Sequence, residues 1–234
     1  MTPRIAIVTP YYREPLEILR HAHDSVLAQS YPCRHFLVAD GRPNPELGGW
    51  DADHCVLDRN HADFGNTPRY AGAQRAIEQG YDLIAFLDAD NWLREDHAEI
   101  LAELHRRTGA DFLSCGRMLC RPDGSVMAEC PLTDPDRFID TSCMAFARGG
   151  FSLLPLWVEM PDYAQAICDR WVLHHVIASG ASRAHSPERT LFYRCGKAGI
   201  YELLGEPVPP GVGRAPDYRA AFERWAADGH SPRP

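Results

Sequence analysis

The chain has 234 residues and carries 24 Lys plus Arg against 32 Asp plus Glu, a formal net charge of −8. That length suits one large domain with an appendage, and 45% hydrophobic with 24% charged residues excludes disordered, collagen-like and coiled-coil chains. The acidic balance argues against a nucleic-acid partner, because phosphate surfaces are bound by clustered Lys and Arg. No apolar run reaches the roughly 18 residues of a membrane span, and the first residues form no basic-then-apolar leader, so a soluble, cytoplasmic protein is expected. The eight cysteines contain no Cys-x-x-Cys pair and several lie in apolar runs, which fits reduced thiols rather than a zinc site or disulfides.

In chain order, Ile5-Ala6-Ile7-Val8 is an apolar run ending at Thr9-Pro10, the pattern of a parallel strand covered on both faces. A helix is predicted over 15–29, with Leu16, Leu19, Ala22, Val26 and Leu27 as its apolar stripe. Two strands follow over 36–39 and 55–57, ending at Asp40-Gly41 and Asp58. Thr67-Pro68 predicts a helix N-cap with Pro at the first helical position, and Gly80 predicts its end. The most apolar run, over 83–87, stops at Asp88-Ala89-Asp90-Asn91. A helix over 95–107 comes next, then a strand over 112–115 and a hairpin turning at Pro122-Asp123-Gly124. A strand-like stretch over 142–147 precedes a helix over 163–179, capped by Gly180. From Gly196 the chain is rich in Gly and Pro, which predicts a loop or tail with a short last helix over 218–227.

Repeated strand-helix units imply an α/β fold with a doubly wound, mainly parallel sheet and a small antiparallel element. In such sheets ligands bind beyond the carboxyl ends of the strands, where strand order reverses. Of the three Asp-x-Asp triplets, only Asp88 with Asp90 terminates a buried strand. In extended chain these two carboxylates point to one side, and two like charges held there call for a hard cation, Mg²⁺ or Mn²⁺. Its other positions suit a diphosphate.

With these residues in view, the chain resembles the family 2 glycosyltransferases of GT-A fold. The resemblance rests on IAIVTPYYRE (5–14), SVLAQSYP (25–32), FLVADG (36–41), RYAG (69–72) and IAFLDADN (84–91), with a weaker match over 168–194. It covers roughly 4–195, implying one GT-A domain over 1–195: a nucleotide-sugar half over about 1–110, an acceptor half over about 111–195, then a tail over 196–234.

The resemblance implies an enzyme that moves a sugar, with inversion, from a nucleoside-diphosphate sugar (a UDP-sugar favoured) to a hydroxyl of a saccharide or glycolipid acceptor. It implies that Thr9, Pro10, Tyr11 and Glu14 form the first nucleotide loop and that Asp40 contacts base or ribose. Arg69 would offset phosphate charge, Asp88 and Ala89 would meet the donor, and Asp90, with Asp88, would bind the metal. Asp169 matches the catalytic base and His185 falls near a third metal-ligand position. The chain departs from the family with Thr9-Pro10-Tyr11-Tyr12 in the first loop, Tyr70 after Arg69, and Cys168 before Asp169. Asp140 and Asp162 therefore compete for the role of base, and Asp169 as a simple helix cap remains open.

Among the aromatic residues, Trp92 and Trp157 are candidates for stacking on sugars, whereas Trp171 is in phase with a helix core. Adjacent His174 and His175 point about 100° apart on a helix and read as packing or surface residues. The stretch 196–213 either folds over the donor or is a tail. A homodimer is compatible with the sequence. Two other functions stay open: a nucleotidyltransferase, disfavoured because no glycine follows the first strand, and a non-catalytic nucleotide-sugar-binding module.

Overall fold

The structure, a computed structural model, describes residues 2–214 and 217–229. Strand β1 (Ile5–Tyr11) is buried throughout, and helix α1 (Leu16–Leu27) returns antiparallel to it, burying Leu19, Ala22, His23 and Val26. Strands β2 (Cys33–Ala39) and β3 (Asp53–Val56) then add on one side of β1. Helix α2 (Asn66–Glu78) carries the chain back to β4 (Leu83–Phe86) on the other side of β1. All of these strand pairings are parallel.

After the short β5 (Trp92–Leu93) and α3 (His97–Thr108), the long β6 (Phe112–Cys120) pairs antiparallel with β7 (Val126–Glu129) and with β8 (Met144–Ala147). Helices α4 (Leu156–Glu159) and α5 (Cys168–Ser179) lead to the 12-residue β9 (Arg183–Arg194), parallel to β6. Helices α6 (Ala198–Leu204) and α7 (Arg219–Ala227) complete the described chain. The sheet runs β3-β2-β1-β4-β8-β6-β9-β5, with β7 on β6.

Three local features fix how the ends of β1 and α2 sit on the sheet. Pro10 lies inside β1, but β4 pairs only as far as Val8–Phe86, so the missing proline N–H faces no ladder partner. Gly72 of α2 is required by close approach: a Cβ there would lie 2.5 Å from Val8 Cγ1 and 2.9 Å from Val38 Cγ2, so only glycine lets the helix settle on β1 and β2. Helix α2 starts earlier than Thr67: its N-cap is Gly65 at φ 80°, and Asp63 accepts from the Thr67 N–H at 2.8 Å and its hydroxyl at 2.5 Å. Thr67 is thus a capped residue rather than the cap, and Pro68 sits in the first turn, where no intrahelical donor is needed.

The middle of the sheet is an aromatic core. Phe86 meets Trp157 edge-on at 5.2 Å and Phe112 meets Phe146 at 5.1 Å. Trp171 is buried as its helical phase predicted, 5.9 Å from Trp225, while His174 and His175 pack against Trp225 and Trp171. All eight cysteines are free thiols. The segment predicted as one helix over 163–179 is divided, a 3₁₀ stretch over Asp162–Ile167 preceding α5. The 12-residue β9 and helix α6 were not expected from sequence. Among the described residues no helix is long and apolar enough to cross a membrane.

Candidate active site

Chain order reverses at β1, which has β2 on one side and β4 on the other, and the residues just past these strand ends line a crevice of about 520 Å³. Eight residues singled out from sequence line it: Pro10, Tyr11, Glu14, Asp40, Arg69, Asp88, Ala89 and Asp90. Desolvation within the crevice and the neighbouring Asp88 push the Asp90 carboxyl up to about 7, although the residue is still exposed to solvent. The turn is held from below, since Ser142 Oγ accepts from the Asp88 N–H at 3.0 Å. It is also held from the side, where Arg194 Nε donates to the Asp90 carbonyl at 3.0 Å and the Arg194 N–H to Asn91 Oδ1 at 3.0 Å.

Arg69, 4% exposed, donates to Asp88 Oδ1 at 2.5 Å, to the Phe64 carbonyl at 3.1 Å and to Asn66 Oδ1 at 3.0 Å. Its Nε is buried without a partner, so one donor of the guanidinium is uncommitted. Asp40 is buried at the end of β2 and accepts from the His61 N–H at 3.0 Å, with His61 Nδ1 2.9 Å away. Glu14 folds the first loop by accepting from the N–H groups of Tyr12 at 2.7 Å and Arg13 at 3.0 Å. The Tyr11 hydroxyl lies 2.7 Å from His54 Nε2 and accepts from the Asn44 N–H at 3.1 Å.

Thr9 is not brought to the crevice: the alternation of β1 turns its side chain inward, where its hydroxyl meets His35 Nε2 at 2.8 Å. His185 is not brought there either. The β6–β9 register sets His185 beside Ser114, whose hydroxyl is 2.9 Å from His185 Nδ1; β8 and β6 lie between its strand and β4, and His185 lines neither this crevice nor the cavity beside it.

The fit of a divalent cation rests on Asp88 and Asp90. Two hard oxygen donors, one with its charged form disfavoured by burial and by the other, suit a cation that would offset both charges. Among the described residues no group of three or more His, Cys, Asp or Glu could hold an ion. An ion here would take the rest of its shell from a diphosphate and water, the usual habit of Mg²⁺.

A second cavity of about 510 Å³ adjoins the first, sharing Phe64, Arg69 and Asp88 with it. Asp169 lines it, half-buried in the first turn of α5, with Oδ1 accepting from the Arg170 N–H at 2.7 Å. Burial, then Asp140, push the Asp169 carboxyl up to about 6. Of its two competitors, Asp140 lines the same cavity but is buried in an ion pair with Arg117 and caps the Ser142 N–H at 3.0 Å. Asp162 is exposed and lines neither cavity.

The tail turns toward this cavity, with Lys197, Tyr218 and Phe222 in its wall. Trp157 is fully buried against Phe86, with the Arg69 guanidinium 5.4 Å above its ring, so it supports Arg69 and has no face for a sugar. Trp92 stacks on His21 at 4.5 Å and Phe192 at 5.4 Å, with Arg194 5.0 Å from its ring.

Sequence reasoning missed the β3–α2 loop. Ala62 (φ 53°) and Phe64 (φ 60°) both line the crevice in left-handed backbone, a conformation costing about 1–3 kcal/mol each for residues other than glycine. Phe64 is 58% exposed at the junction of the two cavities. The run Asn60-His61-Ala62-Asp63 was the one available signal, a turn-type cluster after a strand.

A nucleotide-sized crevice at a strand-order reversal, beside a second cavity that holds a carboxyl poised near neutrality, is the place where doubly wound α/β folds bind their ligands. The profile of Glycosyl transferase family 2 matches residues 6–185, and the chain belongs to that family. The fold is similar to that of S. aureus TarS 1–349 in complex with UDP (TM-score 0.59, 11% identity, 86% of this chain and 63% of that chain). It is similar also to the same protein in complex with UDP-GlcNAc (TM-score 0.58, 11% identity, 96% of this chain and 66% of that chain). Against another S. aureus TarS structure the TM-score is 0.58 at 11% identity, over 86% of this chain and only 38% of that one. No curated protein matches the sequence. The fold is thus the GT-A fold that the resemblance implied.

Proposed function

We propose that this chain transfers a sugar from a nucleoside-diphosphate sugar, a UDP-sugar favoured, to the hydroxyl of a saccharide or glycolipid acceptor, with inversion and with Mn²⁺ or Mg²⁺. The observation that carries the reading is the junction of the two cavities: Arg69 and Asp88 face both, so a phosphate-binding crevice and a candidate base meet where a sugar would sit. The TarS structures with UDP and UDP-GlcNAc support the choice of donor.

In this reading the nucleotide lies along Pro10, Tyr11 and Asp40, with its diphosphate over Asp88 and Asp90. Asp169 accepts the proton of the acceptor hydroxyl as that oxygen bonds to the anomeric carbon and the bond from that carbon to the diphosphate breaks. Attack from the face opposite the leaving group inverts the anomeric centre. The buried Arg69 guanidinium, fixed by three hydrogen bonds and backed by Trp157, faces the charge that develops on the leaving diphosphate. A divalent ion at Asp88 and Asp90 would, when bound, neutralise part of the same charge. Residues 1–195 are taken as the transferase domain, and the segment after them as part of the acceptor cavity's wall.

The test is a thermal-shift series with UDP, GDP, TDP and CDP, with and without Mn²⁺, followed by assay of UDP release from UDP-sugars. A bound nucleotide stabilises by about RT ln(1 + [L]/Kd), roughly 2.7 kcal/mol at a hundredfold excess over Kd. A rise with UDP that grows with Mn²⁺, and UDP release, are the expected results. No shift with any nucleotide overturns the donor site, and binding without release returns the protein to the non-catalytic module.

A further inference from the structure

The second cavity holds more positive charge than its own acids use. Two of its ion pairs are internally neutralised: Arg69 with Asp88, and Arg117 with Asp140, whose side chains are 6% and 9% exposed. Two cations and one carboxyl remain, Arg170 and Lys197 against Asp169.

Arg170 makes no ion pair among the described residues. Its guanidinium lies between two aromatic rings, 4.6 Å from the Phe138 centroid and 5.6 Å from that of Phe222. Lys197 is exposed at the start of α6 and donates to the Tyr218 hydroxyl at 3.1 Å, also with no carboxylate in ion-pair distance among the described residues. A chain with a net charge of −8 thus leaves two cations unpaired in one concave site. Aromatic walls suit the apolar face of a sugar ring, while a guanidinium held over rings can present its fork of donors to a planar or tetrahedral anion.

We propose that the second cavity receives a saccharide acceptor bearing an anionic group, a phosphate or a carboxylate, which Arg170 and Lys197 bind while a neighbouring hydroxyl is presented to Asp169. The inference rests on the reading of the first cavity as the donor site, and it goes beyond that reading by naming the charge class of the acceptor. The shared chemistry is an anion on a sugar, and the two sources of that anion form separate arms of the test.

The experiment titrates glucose 6-phosphate, glucuronate and glucose into the protein saturated with UDP and Mn²⁺, and into the protein alone, followed by ligand-observed NMR. At least one anionic sugar should bind about tenfold more tightly than glucose, and 0.5 M NaCl should erode that preference, since exposed charge pairs are screened. Arg170→Gln and Lys197→Gln should each reduce the preference about threefold to fivefold, with UDP affinity within about twofold of wild type. Arg170→Lys should restore part of it, and all variants are checked for an unchanged near-ultraviolet spectrum. Because Arg170 also lowers the pKa of Asp169, binding rather than turnover is the readout. Equal binding of the three sugars, no binding of either anionic sugar, or a preference that survives the double Gln variant overturns the inference. Failure of UDP to bind in the same samples is instead a failure of the donor-site reading, and the titrations without UDP keep the two apart.

Discussion

Replacing Asp169 with Asn removes one proton acceptor and little else. The side chain keeps its size, and its oxygen can still accept from the Arg170 N–H, 2.7 Å from Oδ1 in the native protein, so the first turn of α5 stays in place. General-base assistance contributes about 10² to 10⁴ in rate, so kcat should fall by that factor, roughly 3–5 kcal/mol of barrier. The wild-type pH profile provides an independent check. A carboxyl poised at about 6 is present as base and acid in the ratio 10^(7−6), about 10 to 1, at pH 7, and about 1 to 10 at pH 5. Its folded-state pKa is raised by burial, so activity should be level above pH 7 and decline about tenfold from pH 7 to pH 5. The assay is UDP release against pH for both proteins, with UDP binding as the control for the donor site. An Asn variant within about threefold of wild type, or a wild-type profile flat through pH 6, refutes Asp169 as the base.

Gly72→Ala should destabilise the fold by about 1–3 kcal/mol, because the new Cβ would lie 2.5 Å from Val8 Cγ1 and 2.9 Å from Val38 Cγ2, both on stiff β-branched side chains in the buried sheet. An unchanged denaturant midpoint would show that α2 can lift off the sheet at no cost. Asp90→Ala, or chelation of the metal, should abolish the Mn²⁺-dependent part of the UDP-induced thermal shift. The same variant should leave the unliganded protein as stable as wild type or more so, since it removes a carboxyl whose charge burial and Asp88 disfavour. A metal-dependent shift that survives in Asp90→Ala counts against the proposed cation site. Arg117→Ala leaves Asp140 buried and uncompensated, and should cost about 3–5 kcal/mol by urea denaturation; a loss under about 1 kcal/mol would mean that solvent reaches the pair.

The crevice was legible in the sequence because many of the residues that line it are local features of strand ends. A buried apolar run that stops at Asp88-Ala89-Asp90 places those carboxylates beyond the sheet, whatever the neighbouring strands do. Arg69 was legible for a similar reason, being one turn into a helix that must begin beside the same crevice. Thr9 was not, because its orientation depends on the parity of β1: the chain stays extended through Tyr11, so Thr9 faces His35 and the loop's contact surface begins one residue later. His185 was placed near the cation site by resemblance alone. Its strand pairs with β6, and β6 and β8 separate it from β4 and Asp88, a lateral distance that sequence spacing does not show. Trp157 has the composition of a sugar platform, and only the distant Phe86 shows that its ring is core.

The second cavity differs in construction, and that explains why the sequence marked Asp169 and Asp140 in it but little of the rest of its wall. Its wall draws Phe64 from a loop after β3, Arg117 and Tyr193 from two adjacent strands, Asp169 from α5, and Lys197 and Tyr218 from the tail. Apart from Asp169, none of these has a neighbour in sequence that would mark it. Composition left the tail open: glycine and proline over 196–213 fitted either a cover for the donor or a free tail, whereas Trp225 of α7, 1% exposed, holds the last helix against α5. A sheet whose strand ends line one crevice, and whose later strands and tail assemble the other cavity, lets the second wall change without disturbing the first. The unpaired Arg170 and Lys197 stand in that wall, so under the proposed function their charge bears on what is glycosylated rather than on which nucleotide delivers the sugar.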